Sequence, residues 1–292
     1  MSAAHSRRGI GVASLVLVGA LFGFSGVIAK HLSGFLDPYQ VVEYRFAIAL
    51  AGALILLALS RERLSFSAVP NRILALYAIT FPLSVVLFTL SIFQGTVAIA
   101  VFSFYTATLA SSFVLGRIFF SEQISARKAV ALILMLLAVI CLTDPLNHFE
   151  VGAGLLLGIA SGVVQGIASS FQKTVSGATS RIGLLVIQCL AGTAVAAMVI
   201  IARGSSLTPS LGAINWIIVI AFGLSMLAIA YLFLVGFKYV NLNTGSILVS
   251  SELLFGPLLA FVLLGEGLTT IVLLGGALTA TAGVVVSLDP EG

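Results

Sequence analysis

The chain has 292 residues, of which 60% are hydrophobic and only 8% charged, with a net charge of +4 and a mean hydropathy of +1.21. No ordinary soluble domain has that composition, so the chain reads as an integral membrane protein. The basic residues are spread over the ends of apolar runs, which makes them information about topology and no argument for nucleic acid.

The apolar runs are continuous and about 20 residues long, as helices crossing ~30 Å of hydrocarbon must be, and they do not alternate as barrel strands do. Ten spans are predicted, near 10–32, 40–60, 73–93, 96–119, 126–143, 152–174, 183–202, 214–237, 243–264 and 269–288. The first follows Arg7 and Arg8 and has the outline of a signal peptide. It is as long as a full span, however, and an internal segment resembles it, so it is read as part of the bundle.

Span two carries Arg45 about six residues in, some 9 Å of helix rise from its start. Its guanidinium either snorkels to the interface or points at an anionic group of a ligand. Span four presents Tyr105, Thr108 and Ser112 as a polar stripe and ends at Glu122. In span six, Gly154, Gly158, Gly162, Gly166 and Ser170 recur every four residues, a small-residue ridge that admits another backbone. About 100° around that helix lie Ser161, Gln165, Ser169 and Lys173, with Gln172 beside them; this stripe calls for protein or a cavity, and interhelical hydrogen bonds alone would satisfy it.

Span nine holds Glu252 near its middle. An acid there costs roughly 2.5 to 3.5 kcal/mol on insertion scales, so it is expected to face the bundle interior and to serve substrate or ion. Gly245, Phe255 and Gly256 are its helical neighbours and would leave room beside the carboxylate. Glu122 and Glu266, at the ends of spans four and nine, read as helix ends with tight connections onward. Cys141 and Cys189 sit inside apolar runs and imply neither a disulfide nor a redox role.

With the N-terminus inside, eleven basic residues (Arg7, Arg8, Arg61, Arg63, Arg72, Arg117, Arg127, Lys128, Lys173, Arg181 and Lys238) fall in the cytoplasm, and two, Lys30 and Arg203, fall outside. That asymmetry places both termini in the cytoplasm and the loop near Asn147 outside. The chain also repeats. A shift of 143 residues lays Gly19, Gly23, Lys30, Ser33 and Gly34 on Gly162, Gly166, Lys173, Ser176 and Gly177, and a shift of 144 lays Ser121-Glu122 on Gly265-Glu266. The units are residues 1–144 and 145–292. Five spans is an odd number, so the second copy enters the membrane in the opposite sense, an architecture of secondary transporters with the site where the halves meet.

Gly19, Phe22-Gly23, Ser25, Lys30, Pro38 and Arg45, together with Gly265-Glu266-Gly267-Leu268-Thr269 and the glycines after it, resemble the EamA-type branch of the drug/metabolite transporter superfamily over essentially the whole chain. The resemblance implies ten helices around a central cavity that opens to alternate sides. It also implies transport of small metabolites, amino acids prominent among them, often outward. In that family the ninth helix often carries a Glu-Pro pair at the place of Glu252. Here Leu253 follows, and Thr108-Leu109 occupies the matching place in the first half, which leaves Gly256-Pro257 as a place for the helix break. Phe22 stands where the family often has Trp.

Enzymatic chemistry finds no support. His5, His31 and His148, like Asp37, Asp144 and Asp289, lie at span ends or outside, so no triad, aspartyl pair or zinc site assembles at depth. There is no phosphate-cradling loop, so the chain does not drive transport with its own ATP hydrolysis. No cofactor or metal is expected. The reading is an all-α integral membrane carrier, multi-pass in the inner (plasma) membrane, whose partners are lipid and a small-molecule substrate; a monomer is the form expected, with the oligomeric state left open by the sequence. The expected substrate-binding residues are Glu252, Ser251, Thr108, Tyr105, Gln165 and Arg45, with a substrate ammonium near Glu252. A drug exporter with Glu252 as a proton site is the alternative, and a passive channel a further one.

Overall fold

The computed structural model describes residues 2–32, 34–60, 69–94, 97–143, 152–177, 180–202, 204, 211–265 and 267–289. The loop near Asn147, the side chain of Lys30, and Arg61, Arg63, Arg203 and Glu266 lie outside that description. The described residues form helices and no strands: α1 (Ser2–Leu32), α2 (Pro38–Ser60), α3 (Asn71–Gln94), α4 (Val97–Phe120), α5 (Ala126–Thr143), α6 (Ala153–Val175), α7 (Arg181–Ala202), α8 (Ala213–Tyr239), α9 (Leu242–Val249), α10 (Glu252–Leu264) and α11 (Thr270–Ser287). Among them nine stretches are long and apolar enough to cross a membrane, with Leu242–Leu263 counted as one. The remaining expected span, Ala126–Thr143, is a helix of 18 residues that packs along α11.

The helices pair across the halves. α1 packs on α8, α9 and α10, while α6 packs on α3 and α4; α2 meets α7, and α5 meets α11. Exchanging the halves turns the α1 pairings into the α6 pairings and leaves α2–α7 and α5–α11 as they are, as a two-fold relation between repeats requires. The repeated glycines are the reason the closest pairs can form. A Cβ at Gly162 would lie 2.9 Å from the Thr108 backbone nitrogen and against the Phe104 carbonyl on α4, and one at Gly23 would lie 2.7 Å from the Gly256 nitrogen on α10. Helices this close have only small residues between them.

The break in span nine does not fall at Gly256-Pro257. It falls at Ser250-Ser251, where Ser251 N–H bonds to Leu248 O (3.1 Å) and Leu253 N–H to Ser250 O (3.0 Å), three-residue spacings that tighten the chain between α9 and α10. Proline conflicts with the carbonyl four residues before it. For Pro257 that residue is Leu253, which lies inside α10 with Pro257 itself, so the break at Ser250-Ser251 is not at the carbonyl that the ring displaces.

α4 ends on Ser121, whose φ is +52°. Its successor donates from Glu122 N back to Gly116 O at 3.0 Å, which folds the chain over the last turn of the helix. Gly265, with φ +69°, ends α10 in the matching way. At the end of α4 the turn brings Glu122 back onto the bundle.

Candidate functional site

Glu252 is the first residue of α10 and half-buried, and its carboxylate accepts a hydrogen bond from the Tyr105 hydroxyl on α4. Arg45, on α2, is 9% exposed and lies within electrostatic reach of Glu252. Its guanidinium stacks over Phe222 (4.6 Å to the ring centroid) and beside Phe22 (6.0 Å). Its Nε and Nη2 are buried with no hydrogen-bond partner. Aromatic faces attract a cation but accept no N–H bond as a carboxylate would, so this guanidinium keeps unspent donors. Acid and phenol thus join α10 to α4 across the two repeats, and the guanidinium of α2 is held between aromatic rings of α1 and α8.

Three other expected residues point elsewhere. Thr108 Oγ1 donates to Gly162 O at 3.3 Å, on the α6 ridge. Ser251 Oγ donates to Val16 O at 3.4 Å, against Gly19 of α1. Gln165 is buried on α6 and reaches Ser169 Oγ at 3.5 Å. The space expected beside Glu252 is likewise taken: a Cβ on Gly245 would meet the Phe237 ring, and Gly256 faces Gly23. The α6 polar stripe does face protein. Ser161 and Ser84 of α3 exchange hydrogen bonds to each other's carbonyls at 2.8 and 3.1 Å.

Two groups carry more than their sequence positions suggested. Glu43, two residues before Arg45, reaches the Ala197 backbone on α7 while its Oε2 is buried without a partner. Glu122 is 6% exposed and accepts the backbone N–H groups of Leu242 (2.7 Å) and Asn243 (3.0 Å), the first residues of α9. Lys173 of α6 stands 3.6 Å from that carboxylate and donates to Val240 O at 2.8 Å. A charge at a span end, unlike one at mid-span, gives no signal of this kind in sequence.

A groove of about 640 Å³ is lined by α1 residues from Arg8 to Ala20, with Phe255 and Ser287; Glu252, Tyr105 and Arg45 are not among its walls. In this conformation the Glu252 carboxylate is instead closed over by Tyr105. Among the described residues no cluster of His, Cys, Asp and Glu could hold a metal.

The chain matches the EamA-like transporter family twice, over residues 9–143 and 152–288. A solved crystal structure of a protein superposes on it with a TM-score of 0.78 over 96% of each chain at 16% sequence identity, a likeness of fold. No curated protein matches the chain in sequence.

Proposed function

The chain belongs to the EamA-like transporter family, and we propose that it is a secondary carrier that exports amino acids by alternating access, with Glu252 and Arg45 as the two poles of the binding site. The family makes it a multi-pass membrane transporter of small solutes. The observation that supports the finer reading is the pairing of opposite charges at the junction of the repeats: a carboxylate held by one tyrosine, and a buried guanidinium with unpartnered Nε and Nη2. An α-amino acid carries the complements of both on one carbon. Its ammonium would replace the Tyr105 hydroxyl on Glu252, and its carboxylate would take the free donors of Arg45. Phe22 and Phe222, already against Arg45, would wall an apolar side chain. Thr108, Ser251 and Gln165 would shape the surrounding helices.

In this reading 1–144 and 145–292 are the repeat units, a single chain is the working carrier, and it does no chemistry on its substrate. It would sit in the inner (plasma) membrane with both termini cytoplasmic. Purified protein in liposomes, loaded with one unlabelled amino acid at a time, should show counterflow of the labelled one. Counterflow of cationic drugs but of no amino acid would favour the drug reading, and a flux that neither saturates nor exchanges would mean a channel. A cysteine at Asn147 should label from the outside; labelling from the cytoplasm alone would reverse the orientation.

A further inference from the structure

Glycine and serine contacts gather seven of the helices into two groups, with α2 packed on α7 and α5 on α11 beside them. α4 lies on α6 through Gly158, Gly162 and Gly166. α3 is tied to α6 by the Ser84–Ser161 exchange and by Ser91 Oγ donating to Gly154 O at 2.6 Å. On the other side, α1 lies on α9 and α10 through Gly19 and Gly23, and on α8 through Gly11 and Gly236; Ser25 and Ser225 join α1 to α8 at 3.1 Å. Contacts without room for a side chain leave little freedom to slide, so each group is expected to move as one body.

Among the described residues, the polar ties between the two bodies that involve α4 and α6 lie along one seam. On α4, Tyr105, Leu109, Ser112 and Gly116 follow each other at helical spacing. Tyr105 holds Glu252 at the upper part of this seam, and a Cβ on Gly116 would meet Asn243 and Glu122 at the lower. Below Gly116 the seam closes on Glu122, from the α3/α4/α6 body, gripping the first N–H groups of α9 in the other body. Lys173 completes the closure through Glu122 and the Val240 carbonyl, with its ammonium over the Phe120 ring at 5.4 Å. The unsatisfied amides and the positive dipole end of α9 both favour a carboxylate there, and the lysine keeps that buried charge paired.

We infer that Glu122 and Lys173 are the latch of a gate that shuts the end of the bundle where α4, α6 and α8 finish, with α9 as the lever that couples it to the substrate site. From Leu242 to Glu252 is about 15 Å of helix rise, so one short helix has the latch at its start and the Glu252 carboxylate just past its end. Release of Tyr105 from Glu252 removes one tie between the bodies, and release of α9 from Glu122 removes the next. Opening at this end requires both. Glu122 and Lys173 touch no substrate in this scheme; they position α9.

The inference rests on the alternating-access reading, but its test needs no substrate, so amino-acid exchange and the latch can fail separately. Ser112 is fully buried on the seam with no partner for its hydroxyl. With Cys141 and Cys189 replaced by Ala, Ser112→Cys becomes the reporter, and a membrane-impermeant maleimide is added to one side of oriented membranes at a time. Glu122→Gln and Lys173→Met should each raise labelling from the latch end by about fivefold or more, the range of ordinary coupling energies, and lower it from the opposite end. Lys173→Arg should label as the parent does. Unchanged labelling in folded variants overturns the latch, as does labelling that rises equally from both ends. Loss of the fold in both Glu122→Gln and Lys173→Met, judged by thermal unfolding, overturns it too, because a latch must be dispensable for folding.

Discussion

Tyr105 on α4 donates its hydroxyl hydrogen to the Glu252 carboxylate at the start of α10, joining the two repeats where the ninth span passes from one helix to the next. The bond satisfies a half-buried acid, and under the proposed function a substrate ammonium would compete with it. Its strength then bears on both the stability of the protein and its affinity for substrate.

Tyr105→Phe keeps the ring and removes the donor, leaving Glu252 without it. A buried acceptor stripped of its partner costs about 1 to 3 kcal/mol, so the empty protein should melt at lower temperature. The double variant Tyr105→Phe with Glu252→Gln should lose less than the sum of the singles, by about 0.5 to 3 kcal/mol. Strict additivity in thermal unfolding would show that the two side chains do not hold each other.

The glycines divide by what faces them. Gly162 has α4 backbone against it, whereas nothing lies within 4 Å of a Cβ at Gly26. Gly162→Leu should overpack the α4–α6 contact at a cost of about 1 to 3 kcal/mol, with lower expression and melting temperature. Gly26→Ala meets open space and adds helix propensity, so it should be neutral or stabilising by up to about 1 kcal/mol. Equal tolerance at both positions would mean that α6 does not press on α4.

Ser121 holds the left-handed position that Gly265 fills in the second repeat. A side chain costs about 1 to 2 kcal/mol in that conformation, and part of the relief from Ser121→Gly is lost to the added freedom of the unfolded chain. The substitution should raise stability by about 0.5 to 1 kcal/mol. A fall in melting temperature would mean that the serine side chain makes a compensating contact in the turn.

The spans, the repeat and the α6 ridge were legible because each is a dense local pattern: runs of apolar residues, identities at one shift, small residues every fourth place. Tyr105 and Glu252 were legible as neighbours through that repeat, since the two lie on matching spans. The break in span nine was misplaced because Pro257 is carried inside α10, and nothing in Ser250-Ser251 as residues marks them as the place where the helix yields. Glu122 and α9 are 120 residues apart, and nothing near either one announces the other. The aromatic faces around Arg45 were hidden for the same reason, since Phe222 comes from α8 and Phe22 from α1.

Glu252→Gln separates the two transport readings. Glutamine keeps the shape of the side chain and can still accept from Tyr105, so the fold should survive; what it removes is the negative charge and the place for a proton. If an amino-acid ammonium pairs with Glu252, losing one charge-assisted bond should weaken apparent affinity by about 1.5 to 3 kcal/mol, roughly ten- to a hundredfold or somewhat more. The response to an imposed pH gradient should stay as it was. If Glu252 instead carries the coupling proton, substrate binding should survive and the pH dependence should flatten. Uptake into liposomes over a range of amino-acid concentrations, with and without a pH gradient, reads both quantities from the same preparation. A variant equal to the parent in affinity, rate and pH response would leave Glu252 as a tie for Tyr105 alone and remove it from the binding site.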